Sequence, residues 1–191
     1  MYTEKEVSRE TVFRGKIVNL RWDVAEIYGG KHVSREVVEH PGGVCVVPVA
    51  SDGRFWCVRQ FRYPFMQEML EFPAGKLEPG EDPFECAVRE LKEETGLTAG
   101  KVVYLGPMYP SPGYLNEILH IYLALDLTEG QANLDENEFL TVERVPEARL
   151  LAMVMQNEIR DAKTVVGFFK AKQYLQEPRE GGTCGKDDFN H

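Results

Sequence analysis

GKLEPGEDPFECAVRELKEETGL, residues 75–97, joins a glycine-bearing loop to a helix that carries carboxylates at close spacing. Asp82 is a strong N-cap, Pro83 suits the first helical position, and Glu85, three residues after Asp82, can complete a capping box. Gly96 stands where a left-handed residue ends a helix. Phe84, Ala87, Val88 and Leu91 recur at helical spacing and form the stripe expected to be buried. Glu90, Glu93 and Glu94 lie at i, i+3 and i+4, so they project from one side, and Arg89 is four residues before Glu93 and can pair with it.

Three carboxylates on one patch repel one another unless positive charge sits among them. An acidic helix face is ordinarily a solvated one. Here only Lys92 is interleaved within the cluster, and the preceding loop, residues 74–81, brings two glycines, a proline and two further carboxylates, Glu78 and Glu81. That combination makes a cage for a hard divalent ion such as Mg²⁺ or Mn²⁺, which prefers oxygen ligands, keeps several waters, and completes its shell with substrate phosphates. The residues alone therefore point to a divalent-metal site handling a phosphorylated substrate.

The spacing also carries a resemblance. Gly75, five residues, Glu81, seven residues, Arg89-Glu90-Leu91, one residue, Glu93-Glu94, one residue and Gly96-Leu97 match the Nudix box in full. At ordinary residue frequencies such a match arises by chance on the order of once in ten million chains of this length. The resemblance implies an α/β/α sandwich with a mixed sheet that hydrolyses a nucleoside diphosphate linked to another group, using divalent cations. It further implies that Glu90 and Glu94 ligate metal, that Glu93 shares a metal or holds its water, and that the Ala74 carbonyl completes the shell. By the same resemblance Glu81 anchors the loop or holds a metal through water, and Arg89 orients Glu93.

Around this stretch the chain is ordinary for one globular domain: 191 residues, 43% hydrophobic and 28% charged. The net charge of −9 speaks against non-specific binding to nucleic acid or to a membrane surface, but not against an anionic substrate, because bound metals invert the local field. The first residues lack the apolar core of a signal peptide, no apolar run approaches membrane-spanning length, and Cys45, Cys57, Cys86 and Cys184 show no CxxC pairing. A cytoplasmic location with buried thiols is expected.

Residues 42–50 form a nearly continuous apolar run, as in a strand buried on both faces, and residues 55–63 are expected to follow as its hairpin partner. After the box, residues 101–106 and 118–125 read as strands, the second carrying His120 as a satisfied core residue. Residues 145–157 and 161–176 read as closing helices, the second capped by Asp161 with Val165, Phe168, Phe169 and Leu175 facing inward. From residue 177 the chain is polar and aperiodic, as in a flexible tail. Residues 1–40 read as a strand-rich arm, with strands at 12–18, 21–27 and 32–39 and a turn at 28–31; it is too small to stand alone. Phe13 and Trp22 are expected to pack in the core.

The segments flanking the box resemble the ADP-ribose pyrophosphatase branch. Residues 59–63 and 69–75 look like its entry to the box and put Arg62 on the substrate's phosphates, where a guanidinium fork suits phosphate oxygens. A proline within Ser-Pro-Gly, here Pro112 and Gly113 fifteen residues or so past Leu97, is similar to the feature that marks that branch, and Glu117 would then reach the terminal ribose hydroxyls. In that branch a mobile loop supplies the glutamate that deprotonates the attacking water; within residues 127–139 the candidates are Glu136 and Glu138. The branch also pairs two subunits through the N-terminal sheet, which implies a homodimer and places Arg35 near the substrate. The implied reaction is hydrolysis of ADP-ribose to AMP and ribose 5-phosphate with two or three Mg²⁺ or Mn²⁺ ions. The alternatives are a pyrophosphatase for a GDP- or ADP-hexose and a non-hydrolytic ADP-ribose sensor, whose box would be degraded.

Overall fold

The computed structural model describes residues 2–133 and 139–177. The box helix, α1 (Pro83–Thr95), begins and ends where the sequence sets it: the Asp82 carboxylate accepts from the amides of Phe84 and Glu85, and Gly96 closes the helix at φ 72° with its amide on the Lys92 carbonyl. Its buried face differs from the expected stripe. Ala87 and Leu91 are buried together with Cys86, Glu94 and Thr95, whereas Phe84 and Val88 remain 43% and 37% exposed. The helix is rolled toward its carboxylate side because Glu94 has a hydrogen-bond donor beneath it, described below.

Beneath α1 lies a mixed four-stranded sheet in the order β7-β4-β9-β8, built from β4 (Gly43–Pro48), β7 (Ala74–Lys76), β8 (Leu97–Met108) and β9 (Leu119–Glu129). The strand β4 pairs parallel with β9 and antiparallel with β7. Its apolar run is explained by alternation: Val44 and Val46 pack with Ala87 and Leu91 of α1 and Tyr122 of β9, while Cys45 and Val47 face the main core of Phe55, Phe72, Phe168, Leu123 and Leu150. The helix α3 (Ala162–Gln176) covers that second face, completing the α/β/α layering. It approaches so closely that a methyl on Gly167 would stand 3.0 Å from Val47. Phe168 is fully buried as expected, but Phe169 and Leu175 are 43% and 39% exposed; Lys163, Thr164, Gly167 and Ala171 take the inner face instead.

The expected hairpin of residues 42–50 with 55–63 does not form. Both edges of β4 are already taken, so no ladder joins it to β5 (Arg54–Arg62); just past the end of β4 the two segments share the single bridge Val49 to Phe55. The strand β5 instead centres a second, antiparallel sheet between β10 (Leu140–Pro146) and β6 (Gln67–Glu71). Because β10 takes residues up to Pro146, the helix expected over 145–157 is shortened to α2 (Glu147–Met155), which buries Leu150 and Val154.

The N-terminal arm is a third sheet, β1 (Lys5–Arg14), β2 (Asn19–Ile27) and β3 (Lys31–Glu39), antiparallel throughout. The strand expected over 12–18 ends at Arg14, and 15–18 is a tight turn closed by the Gly15 amide on the Val18 carbonyl. Phe13 and Trp22 are 57% and 47% exposed, not core residues. The end of β3 is stitched to the segment after the Ser-Pro-Gly turn: Val38 donates to the Tyr114 carbonyl, Asn116 donates to the Val38 carbonyl, and the His40 amide donates to the Asn116 side chain. His120, on β9, is partnered by the Tyr104 hydroxyl at 3.0 Å, and burial holds its pKa below the usual value. Cys45, Cys57 and Cys86 are buried free thiols; burial pushes the latter two up to about 12. No helix among the described residues is long and apolar enough to cross a membrane.

Candidate active site

The box loop and helix are locked to each other by contacts that only these residues permit. The short strand β7 lies along the carboxylate side of α1, and the Ala74 amide donates to Glu94 Oε2 at 3.1 Å. Glu94 is thereby satisfied while only 3% exposed. One residue on, the Glu90 carboxyl rests on the bare backbone of Gly75: a methyl there would come within 1.8 Å of its carbon and one oxygen. Glycine at 75 is thus a steric requirement for seating Glu90.

Arg89 is the hub of the cluster. It grips Glu81 with Nε and Nη2 at 2.8 and 3.0 Å, and its Nη1 donates to both Glu90 and Glu93 at 2.9 Å. Glu81 also accepts from the Glu78 amide, so it anchors the loop. These donors hold the Glu81 carboxyl down to about 2, Arg89 being the main cause. A carboxyl depressed in the folded state stabilises the fold above its unfolded value of 4.5, and the contribution disappears as the pH falls toward 2. Glu81→Gln is therefore expected to melt below the unchanged protein at neutral pH, with the gap closing on acidification through that window; calorimetry at several pH values reads it.

Arg89 also explains a geometric finding. Among the described residues no group of three His, Cys, Asp or Glu side chains converges at metal-ligating spacing. The guanidinium instead lies against Glu90 and Glu93, two of the carboxylates expected to hold ions. The donor chemistry nevertheless suits a hard divalent ion, since Glu90, Glu93, Glu94 and Ala74 all border one cavity of about 1020 Å³.

The same cavity is also lined by Arg62 and Lys163, each paired with carboxylate. Arg62 is held by the buried Glu71 through two parallel hydrogen bonds of 2.9 and 2.7 Å. Glu71 also receives the ammonium of Lys163, which stands 2.9 Å from Asp161. Burial pushes the Glu71 carboxyl upward, but Arg62 and Lys163 outweigh it and the carboxyl lies below the usual range. The rim carries Lys16 and Ile17 from the turn between β1 and β2, and Glu117, whose carboxylate is 3.3 Å from His40 Nδ1.

Of the residues expected from the sequence, Arg62, Ala74, Glu90, Glu93, Glu94 and Glu117 are brought together around the cavity. Pro112 and Gly113 sit in an exposed turn beside it, and their neighbour Pro110 lines it. Arg35 is on β3, bonded to Glu4 and outside the cavity lining. Glu136 and Glu138 lie outside the described residues. The sequence reading missed Glu71, Asp161, Lys163, His40 and Lys16. One signal was available: Lys163 is in phase with Gly167 and Ala171 on a helix face too close-packed for a solvated lysine.

Comparison with known proteins fits this geometry. A model of the NUDIX domain matches residues 39–166. The chain is 43% identical over 175 residues to an ADP-ribose pyrophosphatase of Bacillus subtilis, spanning 91% of this chain and 92% of the relative. It is 39% identical over 178 residues to a methanol dehydrogenase activator of Bacillus methanolicus, spanning 92% and 94%. A solved structure described as an ADP compounds hydrolase superposes with a TM-score of 0.80 at 26% identity, covering 91% of this chain and 94% of that one. With its box intact around a carboxylate-lined cavity, the chain belongs to the NUDIX domain family.

Proposed function

We propose that the protein hydrolyses the diphosphate of ADP-ribose, giving AMP and ribose 5-phosphate, in a reaction dependent on divalent cations. The observation that carries this reading is the shared lining of one cavity, which brings the box carboxylates Glu90, Glu93 and Glu94 together with Arg62. A diphosphate bound there meets metal-binding oxygens and a guanidinium together. Two or three Mg²⁺ or Mn²⁺ ions, held by Glu90, Glu93, Glu94 and the Ala74 carbonyl, would neutralise phosphate charge and acidify water when bound.

The chain's own groups do the rest. Arg62 presents Nη1 to the diphosphate, since Nε and Nη2 are occupied by Glu71. Glu117, placed at the cavity by the stitching of the segment after the Pro112-Gly113 turn to β3, accepts from the terminal ribose hydroxyls. Glu136 or Glu138 takes the proton of the attacking water, and in-line displacement separates the two phosphates. Residues 1–40 form a dimerisation arm on a catalytic unit of residues 41–176, and Arg35 serves the cavity of a second copy. The three buried thiols suit a cytoplasmic protein.

Relatives that are GDP-mannose pyrophosphatases, one from Citrobacter koseri 36% identical over 102 residues, make a hexose nucleotide the second reading. Incubation with Mg²⁺ and a panel of ADP-ribose, ADP-glucose and GDP-mannose decides between them. The expected result is AMP and ribose 5-phosphate formed fastest from ADP-ribose. Faster release from GDP-mannose moves the specificity to the second reading, and tight ADP-ribose binding without turnover leaves only a sensor.

A further inference from the structure

Lys163 is a lysine where a lysine is costly. It is 8% exposed, on the first turn of α3, and it borders the cavity. Two carboxylates keep it charged: burial alone would lower its pKa, but Asp161 and Glu71 raise it. Neither carboxylate is free to follow it elsewhere. Asp161 Oδ2 caps α3 by accepting from the Thr164 amide and hydroxyl at 2.9 and 2.6 Å. Glu71, 1% exposed, ends β6, and its neighbour Phe72 donates to the Thr164 hydroxyl at 3.0 Å. The ammonium is therefore clamped between the start of α3 and the end of β6, against the carboxylate that also holds Arg62.

The charge balance gives this arrangement a consequence. Arg62 paired with Glu71 alone sums to zero, and such a pair has little attraction left for an anion. Arg62, Lys163, Glu71 and Asp161 also sum to zero, but the contacts are uneven: Arg62 Nη2 and Lys163 Nζ draw on the same oxygen, Glu71 Oε2, so Glu71 is divided between two cations, while Asp161 is committed to Lys163 and to the cap of α3. Arg62 Nη1 has no hydrogen-bond partner among the described residues, so the charge that the shared carboxylate leaves on Arg62 is available at the cavity that it lines.

We propose that Lys163 is a positioning residue for diphosphate binding: by sharing the Glu71 carboxylate it leaves Arg62 cationic and aimed at the substrate. The proposal rests on the assignment of Arg62 to the diphosphate, and the two can fail separately.

The test is a double-mutant cycle on the full 191-residue chain, with KM and kcat for ADP-ribose measured under saturating Mg²⁺ and folding checked by circular dichroism. Lys163→Met is expected to raise KM about tenfold with kcat changed less than about threefold, and Lys163→Arg, which keeps a cation, to restore KM. Arg62→Ala is expected to raise KM at least about tenfold, and adding Lys163→Met to it to change KM less than about twofold. An equal rise from Lys163→Met in both backgrounds overturns the proposal, because Lys163 then acts independently of Arg62. An unchanged KM in Arg62→Ala overturns the Arg62 assignment and the proposal with it. Should Lys163→Met fail to fold for want of a partner for Glu71, the pair Glu71→Gln with Lys163→Met removes the uncompensated charge. That variant is expected within about threefold of the original KM, and a KM as high as that of Arg62→Ala overturns the proposal.

Discussion

Glu94→Gln is expected to lower kcat by about 10³-fold while leaving the fold intact. The substitution is nearly isosteric, and the amide oxygen can still accept from the Ala74 amide, the bond that seats Glu94 against β7. What it removes is a negative charge that is almost wholly shielded from solvent at the cavity wall. A neutral amide has little hold on a hard cation, so the loss falls on turnover and on the metal concentration needed to reach it. Steady-state kinetics across a Mg²⁺ titration, beside a melting curve, separate the two effects. A variant that keeps the original kcat at saturating Mg²⁺ shows that Glu94 is not a metal ligand.

Gly75→Ala should damage activity too, and it should also cost stability. The added methyl would sit 1.8 Å from the Glu90 carboxyl, a distance no relaxation of the methyl itself can relieve. Something must move, and three things resist. The strand β7 is paired to β4 at three positions, Ala74 is tied to Glu94, and Glu90 is held from its other side by Arg89. Overpacking of this kind typically costs about 1–3 kcal/mol, and displacement of Glu90 is expected to lower kcat by about 10²-fold or more. The double variant Gly75→Ala, Glu90→Ala separates these consequences. Its denaturation midpoint should recover because the clash is gone, while its activity should not. Full activity in Gly75→Ala would mean that the seat of Glu90 does not matter to the chemistry.

What could be read from the sequence was local. The box helix is legible because its cap, its first-turn proline and its terminal glycine lie within fifteen residues, and each acts on its immediate neighbours. The burial of β4 on both faces is legible for the same reason, since a run of apolar residues leaves no polar face. Pairing is a different matter. The short strand β7 and the strand β10 acquire their conformation from partners far along the chain, and the choice of β5 to leave β4 depends on edges already filled. The box carboxylates, carried on one helix, were visible; of the two cations that share their cavity, only Arg62 was. Lys163 reaches Glu71 across 92 positions, and neither residue belongs to a pattern that points to the other. Rolling of α1 and α3 likewise follows from polar seats, Glu94 under one helix and Lys163 under the other, which a stripe of apolar residues cannot reveal.

Arg89 has a bearing on how such a protein lives with its ion. A patch of four glutamates would ordinarily strain the chain that bears it until a cation arrived, making folding hostage to metal supply. Here the counterion is built into the chain, gripping Glu81 while touching Glu90 and Glu93. The metal is thereby relieved of any architectural duty. The scaffold stands already assembled, its carboxylates partnered from within the chain.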